Sequence, residues 1–442
     1  ETALSLDAAS TLVDPTPAAQ TRICPGGLID ITSRSGDATV FQSFAAPDIT
    51  ADALRTSITQ TALPAPDNAS TNPDFGPRVL TSEPSSDVKA PALAAGSQSQ
   101  SAAADSISGL AATACSEAST DQWLVGGSTE VGRNTLLLLS NALDVDATVS
   151  LEIFGEKGKV EAPGMTALLV KAKSQRIISL ASFAPGVVDP VVHVTTTGGQ
   201  VLATLQQTVT RVVTPSGVDL IQAGAAPATT QIIPGVALTG MAGQDSEGGA
   251  VTSDLAPAIR ILLPGSRNAE VKATVISATT KPVVIKAKFT AGQVLQLPFL
   301  GVTDGIYTVV VTADVPLVAA VRTIQSPNNP IAPETAAPVA PTPEASGTAS
   351  PAPVGGVDAG GDAGAPAGAP TVPGGDFAWN ASALALSAQT LVAVPAGGHP
   401  TLTLYNPTTT AQTVRVGLLN GPDDSLNVPA GGSVVVPVSV TG

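Results

Sequence analysis

The apolar residues of this chain follow a two-residue period that recurs in three places. In the first of these stretches Val149, Leu151 and Ile153 share one face of the predicted strand, while Ser150 and Glu152 share the other. A two-residue period with one apolar face predicts half-buried antiparallel strands. Each of the three stretches consists of an apolar strand, a polar turn and an alternating strand: Asn134–Gly155, Pro257–Ser277 and Pro400–Asn420.

The residues after these openings also recur. Pro190–Thr208 predicts a hairpin around a Gly-Gly turn, and Gly305–Thr323 predicts a second hairpin with a tight turn. No third hairpin follows Gly431–Gly442, so we expect the chain to be truncated inside its third module. In the alternative, Phe377–Val394 supplies the missing strands from the N-terminal side.

Turn signals every 8–12 residues and about seven short strands per module are typical of immunoglobulin-like sandwiches. The predicted fold is therefore all-β, with tandem immunoglobulin-like antiparallel β-sandwich modules and a long disordered Pro/Ala/Gly-rich segment. The predicted divisions are an irregular β-rich segment closed by a disulfide (1–120), a first sandwich (121–236), a second sandwich (237–325), a linker (326–376) and an incomplete third sandwich (377–442).

The linker prediction rests on composition. Ser326–Asp376 holds eleven of the 38 prolines and has no aromatic residue, lysine or arginine. Such a segment cannot bury enough apolar surface to offset the entropy lost on ordering.

The net charge of the chain, its hydropathy and its first residue bear on its partners and its location. The net charge is -15 with 12% charged residues, so a nucleic-acid backbone would be repelled and nucleic acid is not an expected partner. The sequence contains no apolar run of the length that spans a membrane. The chain begins at Glu1 rather than Met, from which we expect an exported protein whose signal or N-terminal anchor has been removed.

The chain has two cysteines, Cys24 and Cys115. In an exported protein such a pair predicts one disulfide, and two buried free thiols are the alternative. With so few cysteines and histidines a zinc site is not expected, and we predict no cofactor.

No sequence motif of a known catalytic site is present. The two histidines, His193 in a strand and His399 in a loop, are expected to be structural. Acidic turns could hold Ca²⁺ but are expected to be ordinary exposed turns: Asp144–Thr148, Gly243–Gly249 and Gly421–Ser425.

The aromatic residues that could form a binding surface are few. They are Trp123, Trp379, Tyr307 and Tyr405. An exposed platform of such rings would favour sugar binding, whereas both tryptophans precede predicted strands, where they more often fill a core.

Four short motifs together resemble a family of uncharacterised exported proteins of actinobacteria. They are "ICPGG" (Ile23–Gly27), "ATACSEASTDQWLVGGST" (Ala112–Thr129), "IPGV" (Ile233–Val236) and "DFAW" (Asp376–Trp379). The resemblance implies tandem β-sandwiches behind an N-terminal membrane anchor, encoded near a membrane glycosyltransferase, and an accessory role in assembly of the cell envelope.

The leading hypothesis is therefore a non-enzymatic extracytoplasmic scaffold or partner-binding ectodomain, anchored at the cell membrane or secreted. Its expected partner is another envelope protein, for which the resemblance indicates a membrane glycosyltransferase. The alternative is a carbohydrate- or wall-binding protein of the adhesin type. A hydrolase with a site assembled across modules also stays open.

Overall fold

A computed structural model describes residues 18–33, 39–84, 92–241, 256–325, 375–396, 398, 400–419 and 421–438. In these residues the regular structure is β-strand, with two short 3₁₀ turns at Pro73–Phe75 and Leu180–Ser182. The predicted all-β fold of antiparallel sandwiches is confirmed. The predicted disordered segment lies outside the described residues, apart from its last two.

The N-terminal unit contains two three-stranded sheets, β1–β6–β5 and β4–β7–β8, and the hairpin β2–β3. The strands are β1 (Gln20–Cys24), β2 (Ile29–Ser33), β3 (Thr39–Ser43), β4 (Asp48–Leu54), β5 (Thr59–Ala62), β6 (Arg78–Ser82), β7 (Leu93–Ala103) and β8 (Ser108–Ala114).

A disulfide joins the end of β1 to the residue after β8. Cys24 and Cys115 are bonded at 2.02 Å and both are buried, so the predicted disulfide is confirmed and the free-thiol alternative is wrong. Gly96 on β7 leaves the necessary space, because a Cβ there would lie 2.3 Å from Leu80 Cδ1 and 3.1 Å from Cys115 Cβ.

Buried glutamines hold the segment between β1 and β2. Gln98 Nε2 donates to the Gly26 carbonyl at 2.8 Å, and its Oε1 accepts from the Gly26 N–H at 3.1 Å. Gln206 makes the same paired contact with Ile29, at 2.6 and 2.8 Å. A primary amide that both donates and accepts satisfies backbone groups as a neighbouring strand would.

The first sandwich packs sheet β14–β10–β16–β17 against sheet β12–β11–β15–β9, with β13 also paired to β11. The predicted hairpin of Pro190–Thr208 is wrong, because β15 and β16 lie in opposite sheets and the Gly-Gly turn carries the chain across the core. The strands are β9 (Asp121–Val125), β10 (Arg133–Asn141), β11 (Ala147–Gly155), β12 (Gly158–Val160), β13 (Leu168–Val170), β14 (Ser174–Ser179), β15 (Val191–Gly198), β16 (Leu202–Arg211) and β17 (Thr214–Gln222).

Strand β10 is buried on both faces. Leu137 and Leu139 point into the sandwich core, while Leu136 and Leu138 pack in a separate cluster with the N-terminal unit. A strand covered on both sides has a continuous rather than an alternating apolar run. The N-terminal unit and the first sandwich therefore share a core across this sheet.

The second sandwich is built around one long strand, β23 (Gly305–Gln325). Its N-terminal half pairs with β20 and β18, and its C-terminal half pairs with β19 and β24. The strands are β18 (Ala228–Leu238), β19 (Ala258–Leu262), β20 (Ala269–Ile276), β21 (Val283–Phe289), β22 (Val294–Pro298), β23 (Gly305–Gln325) and β24 (Asp376–Ala381).

Three sequence predictions need correction here. The hairpin predicted in Gly305–Thr323 is instead the single strand β23, which passes from one sheet to the other around Asp314 without a reversal. The predicted boundary at residue 236 falls inside β18, whose ladder with β23 places it in the second sandwich. The boundary at residue 376 is likewise wrong, since β24 pairs with β23 and so cannot close the third module.

The third unit has four strands in the described residues, in the two-stranded sheets β25–β28 and β26–β27. Residues 439–442 are outside the described part, and the expected truncation stays a prediction. The strands are β25 (Thr401–Tyr405), β26 (Gln412–Gly417), β27 (Asp423–Val428) and β28 (Ser433–Pro437).

Loss of the disulfide should destabilise the N-terminal unit strongly. The bond spans a sequence separation of 91 residues. Closing a loop of this length stabilises the folded state by about 4–5 kcal/mol through the entropy of the unfolded chain. We expect the double variant C24S/C115S to lose roughly this much free energy of unfolding in urea. An unchanged urea midpoint would show that packing alone holds the unit together.

Candidate functional site

The aromatic residues proposed as a binding surface are mostly buried. Trp123, Trp379 and Tyr307 are 7%, 8% and 5% exposed, and Tyr405 is half-buried. Tyr307 donates its hydroxyl hydrogen to the Thr303 carbonyl at 2.9 Å within the second sandwich. These four residues therefore do not form an exposed stacking platform for sugars.

Trp123 takes part in a polar cluster on the outer face of the sheet β11–β15–β9. The imidazole of His193 stacks on the Trp123 indole, with ring centroids 3.9 Å apart and planes 9° from parallel. His193 Nδ1 lies 3.0 Å from Glu152 Oε2, and Nε2 lies 3.2 Å from Asp121 Oδ1. His193 thus lies on the face opposite Val192 and Val194, and a carboxylate lies beside each of its ring nitrogens.

The ionisable side chains of this cluster are bonded to one another. Hydrogen bonds from the Lys159 ammonium and from His193 lower the pKa of Glu152. Both nitrogens of the imidazole already face carboxylates, so the ring is oriented by fixed partners and packed against the indole. This arrangement is typical of a structural surface network rather than of a base poised beside a nucleophile.

Strand β24 lies where the three larger units meet. One oxygen of Asp376 accepts from the backbone N–H of Leu110 in the N-terminal unit, at 2.8 Å. Its other oxygen accepts from Val218 in the first sandwich at 3.2 Å and from Phe377 at 2.9 Å. The same strand pairs with β23 of the second sandwich. One carboxyl therefore bonds to two units while its strand belongs to the third.

The next contacts along β24 continue this junction. Asp219 Oδ2 on β17 accepts from the Trp379 backbone N–H at 2.7 Å, and the indole Nε1–H of Trp379 donates to Gln207 Oε1 at 2.8 Å. Burial raises the pKa of the Asp219 carboxyl to about 7, and the nearby Asp376 contributes to the rise. Burial likewise raises the pKa of Asp376 to about 6, although its backbone hydrogen bonds lower it in part.

Arg260 of β19 crosses from the second sandwich into the first. Its guanidinium, fully buried, donates from Nη1 to the carbonyls of Gly127 at 2.9 Å and Pro190 at 3.0 Å, and from Nη2 to Asp189 Oδ1 at 2.9 Å. It also lies 4.3 Å from the ring centroid of Trp379, a cation–π distance. Burial lowers the pKa of Arg260, and the Asp189 carboxylate opposes that change.

The sequence pattern indicates Trp379 but not the residues that contact it. Arg260 interrupts the apolar strand "AIRIL", and a lone cation in such a run is a signal of a buried pair. The acid that begins "DFAW" is a similar signal. Nothing in the local pattern shows that Asp219, Gln207 and Asp189 come to the same place, because each lies in a separate strand or loop.

The acidic turns behave as ordinary turns where they are described. Asp146 accepts from the Ala172 backbone N–H at 2.8 Å and from Lys171 Nζ at 3.0 Å, and these two bonds lower its pKa. Gly243–Gly249 and His399 lie outside the described residues. Gly421–Ser425 is exposed, with Gly421 and Pro422 before β27 and Asp423–Ser425 at its start. Within the described ranges no group of three or more His, Cys, Asp or Glu side chains is placed to hold a metal ion. Among the same residues no helix is long and apolar enough to cross a membrane.

Three exposed valines form a patch at one end of the first sandwich, which we term the valine tip: Val131, Val212 and Val213. They are 96%, 100% and 81% exposed. Val212 and Val213 make the two-residue turn between β16 and β17, and the Thr210 N–H donates to the Gly132 carbonyl at 2.8 Å, which holds the loop of Val131 beside that turn.

The valine tip also carries backbone strain. Val212 has φ of 59°, a left-handed conformation that a β-branched side chain rarely adopts. Such a conformation costs about 1–3 kcal/mol and is found most often at functional positions. The backbone of Val212 makes the β16–β17 turn, but its side chain packs against nothing in the described part of the chain.

Substitution of Arg260 tests the junction between the two sandwiches. We expect R260M to lower the free energy of unfolding by about 3–5 kcal/mol, because Asp189 keeps a buried charge without its cation. The double variant R260M/D189N removes that charge and should recover a large part of the loss. Urea denaturation measures both, and equal stability of the two variants would contradict an Arg260–Asp189 pair.

The raised pKa values of Asp219 and Asp376 predict the pH dependence of stability. An unfolded aspartate ionises near pH 3.8, whereas in the folded protein these groups stay protonated up to about pH 7 and about pH 6. The folded state therefore binds more protons in this interval, and stability falls as the pH rises through it, by roughly 1 kcal/mol per pH unit for each group.

The double variant D219N/D376N serves as the reference for this measurement. The wild type and D219N/D376N should each be unfolded in urea at a series of pH values from 4 to 8. The other carboxyls contribute equally to both proteins, so the difference between the two stability curves reports on Asp219 and Asp376. The wild-type curve should descend more steeply between pH 4 and 7. Parallel curves would show that neither carboxyl titrates abnormally in the folded protein.

Comparison with known proteins gives a family without a known activity. No curated protein matches the chain. A solved structure described as the crystal structure of Thermotoga maritima 1070 is similar at 18% identity, over 23% of this chain and 83% of that chain. The TM-score of this match is 0.19, which is too low to indicate a shared fold. Residues 69–373 match the family described as "Family of unknown function (DUF5719)". Since this match spans more than half of the 442 residues, the chain belongs to that family.

Proposed function

We propose that this protein is a non-enzymatic, extracytoplasmic partner-binding scaffold of the cell envelope, anchored at the membrane or secreted. The observation that carries the proposal is the valine tip, whose three side chains are 81–100% exposed on a strained turn. A contiguous exposed apolar group of this kind marks an interaction site more often than isolated surface valines do.

The rigidity of the body behind the tip supports the same role. Buried polar contacts of β24 and Arg260 connect the N-terminal unit and both larger sandwiches. A binding surface on such a body is held in one orientation, so little entropy is lost when a partner docks. Presentation in a fixed orientation suits a scaffold that docks a partner.

Two further points support the compartment and the partner class. The bond between Cys24 and Cys115 is of a kind that persists in oxidising compartments outside the cytoplasm. The resemblance noted from the sequence favours an envelope protein as partner, and a membrane glycosyltransferase is the leading candidate.

Crosslinking from the valine tip tests the proposal in cells. A photo-crosslinking residue at position 213 in the full-length protein should give one discrete adduct with an envelope-assembly protein, and the same residue at Val284 should not. Val284 is a suitable control because it is exposed on β21 of the second sandwich, away from the tip. Absence of an adduct, or the same adducts from both positions, would overturn the assignment.

A stability-neutral substitution separates binding from folding. Asparagine tolerates the left-handed conformation at position 212 far better than valine, so V212N should keep or raise stability, by up to about 1 kcal/mol. It should nevertheless weaken the adduct formed from position 213. If V212N stabilises the protein and leaves the adduct unchanged, the valine side chain has no role in binding.

A further inference from the structure

The lysines of this chain are concentrated in the second sandwich. Residues 271–303 contain four of the nine lysines and no aspartate or glutamate, although the net charge of the whole chain is -15. Lys272 lies on β20, Lys286 and Lys288 lie on β21, and Lys281 lies in the turn that joins these two strands. All four are exposed. A positive region in so acidic a chain departs from its composition and needs a physical reason.

Strand pairing places three of these lysines on one face of the sheet. Lys272 is directly opposite Lys286 across the β20–β21 ladder, and Lys288 is directly opposite Glu270. Directly opposite residues of an antiparallel pair point to the same face, with Cβ atoms about 4.5–5.5 Å apart. The other face of the two strands packs into the core of the second sandwich. We term the outward group of Lys272, Lys286 and Lys288 the lysine face.

Glu270 neutralises only part of the charge of the lysine face. Its Oε1 lies 3.4 Å from Lys286 Nζ, and both side chains are more than half exposed. No other acid within the described ranges forms an ion pair with the face. Like charges directly opposite each other, as at Lys272 and Lys286, destabilise a strand pair. The face therefore keeps an unbalanced positive charge at a small cost to the fold.

Protection of the sheet edge does not account for the whole face. In the described part of the chain β21 is the outer strand of its sheet, and lysines on an outer strand discourage edge-to-edge aggregation. This explains Lys286 and Lys288, but Lys272 lies on β20, which has a neighbour on both sides. Acidic side chains also protect an edge, yet Glu270 is the only acid on either strand. The sign of the charge therefore indicates a further role.

The residue type favours a membrane surface over a protein as the partner. Lysine is depleted at protein–protein interfaces, where arginine with its rigid hydrogen-bonding fork is preferred. An ammonium on a flexible stem needs no matching hydrogen-bond geometry, and it suits a plane of anionic headgroups. Ammonium groups on one sheet face also approach a flat surface together.

The net charge of -15 does not prevent such docking. At physiological ionic strength charges are screened beyond about 8 Å, so an anionic bilayer interacts mainly with the groups that face it. Each lysine close to an anionic membrane raises the affinity about fivefold. The acidic remainder of the protein favours one orientation, in which the lysine face is turned toward the bilayer.

We propose that the lysine face docks the second sandwich on the phosphate groups of an anionic phospholipid bilayer. Lys281 in the adjoining turn adds to the charge, and Val284, 49% exposed on the same face, lies against the bilayer surface. This inference goes beyond the proposed protein partner and is independent of the valine tip. A photo-adduct from position 284 would accordingly contain lipid, in contrast to the protein adduct expected from position 213.

Vesicle sedimentation with the full chain tests the inference. The probes are vesicles of phosphatidylglycerol and phosphatidylcholine in equal parts, and vesicles of phosphatidylcholine alone. At about 0.1 M salt the affinity for the anionic vesicles should exceed that for the neutral ones by about tenfold or more. The preference should disappear at about 1 M salt, where charges are screened within about 3 Å.

A matched pair of double variants locates the effect. K286Q/K288Q should weaken binding to the anionic vesicles by about tenfold or more. K171Q/K173Q removes the same charge from exposed positions of the first sandwich and should leave binding unchanged. All four lysines are exposed, so both variants should remain folded, and urea unfolding checks this.

Three outcomes would overturn the inference. The first is no preference for anionic over neutral vesicles. The second is the same affinity for the anionic vesicles in both double variants, which would separate binding from the lysine face. The third is binding of soluble poly-glutamate without binding of anionic vesicles, which would assign the face to an acidic protein.

Discussion

The architecture depends on the buried contacts of one six-residue strand. Strand β24 ends the ladder of the second sandwich, and its Asp376 and Trp379 bond to backbone or side chains of the N-terminal unit and the first sandwich. Arg260 stacks on the same indole and pairs with Asp189 across the sandwich interface. These groups are buried and polar, so each needs its hydrogen-bond partners from the other units to stay in place. The three units therefore form one body rather than independent domains joined by linkers.

This constraint explains why a scaffold is the favoured function. Domains joined by ordinary linkers move relative to each other unless their interface is large and apolar or tightly bonded. Here the interface includes a guanidinium with three hydrogen bonds and a cation–π contact. A surface such as the valine tip is therefore presented in a fixed orientation.

Local patterns predicted much of the fold. Alternation in β11 and β20 gave strands with one buried face, and the lone pair of cysteines predicted the disulfide. The hairpins were wrong because a turn signal shows that the chain changes course, not whether the next strand stays in the same sheet. At Gly198 the chain crosses to the opposite sheet, and around Asp314 it changes sheets without turning back.

The junction could not be predicted because its partners are distant in sequence. Asp219 and Trp379 are 160 residues apart, and only the folded chain shows that "DFAW" closes an earlier module. Amide exchange at Trp379 therefore tests the central claim most directly, since this N–H donates to a buried carboxyl. The account predicts exchange as slow as that of the core strand β10, through global unfolding alone. Exchange of the Trp379 amide much faster than that of β10 would show that β24 detaches by itself and that the units are not one body.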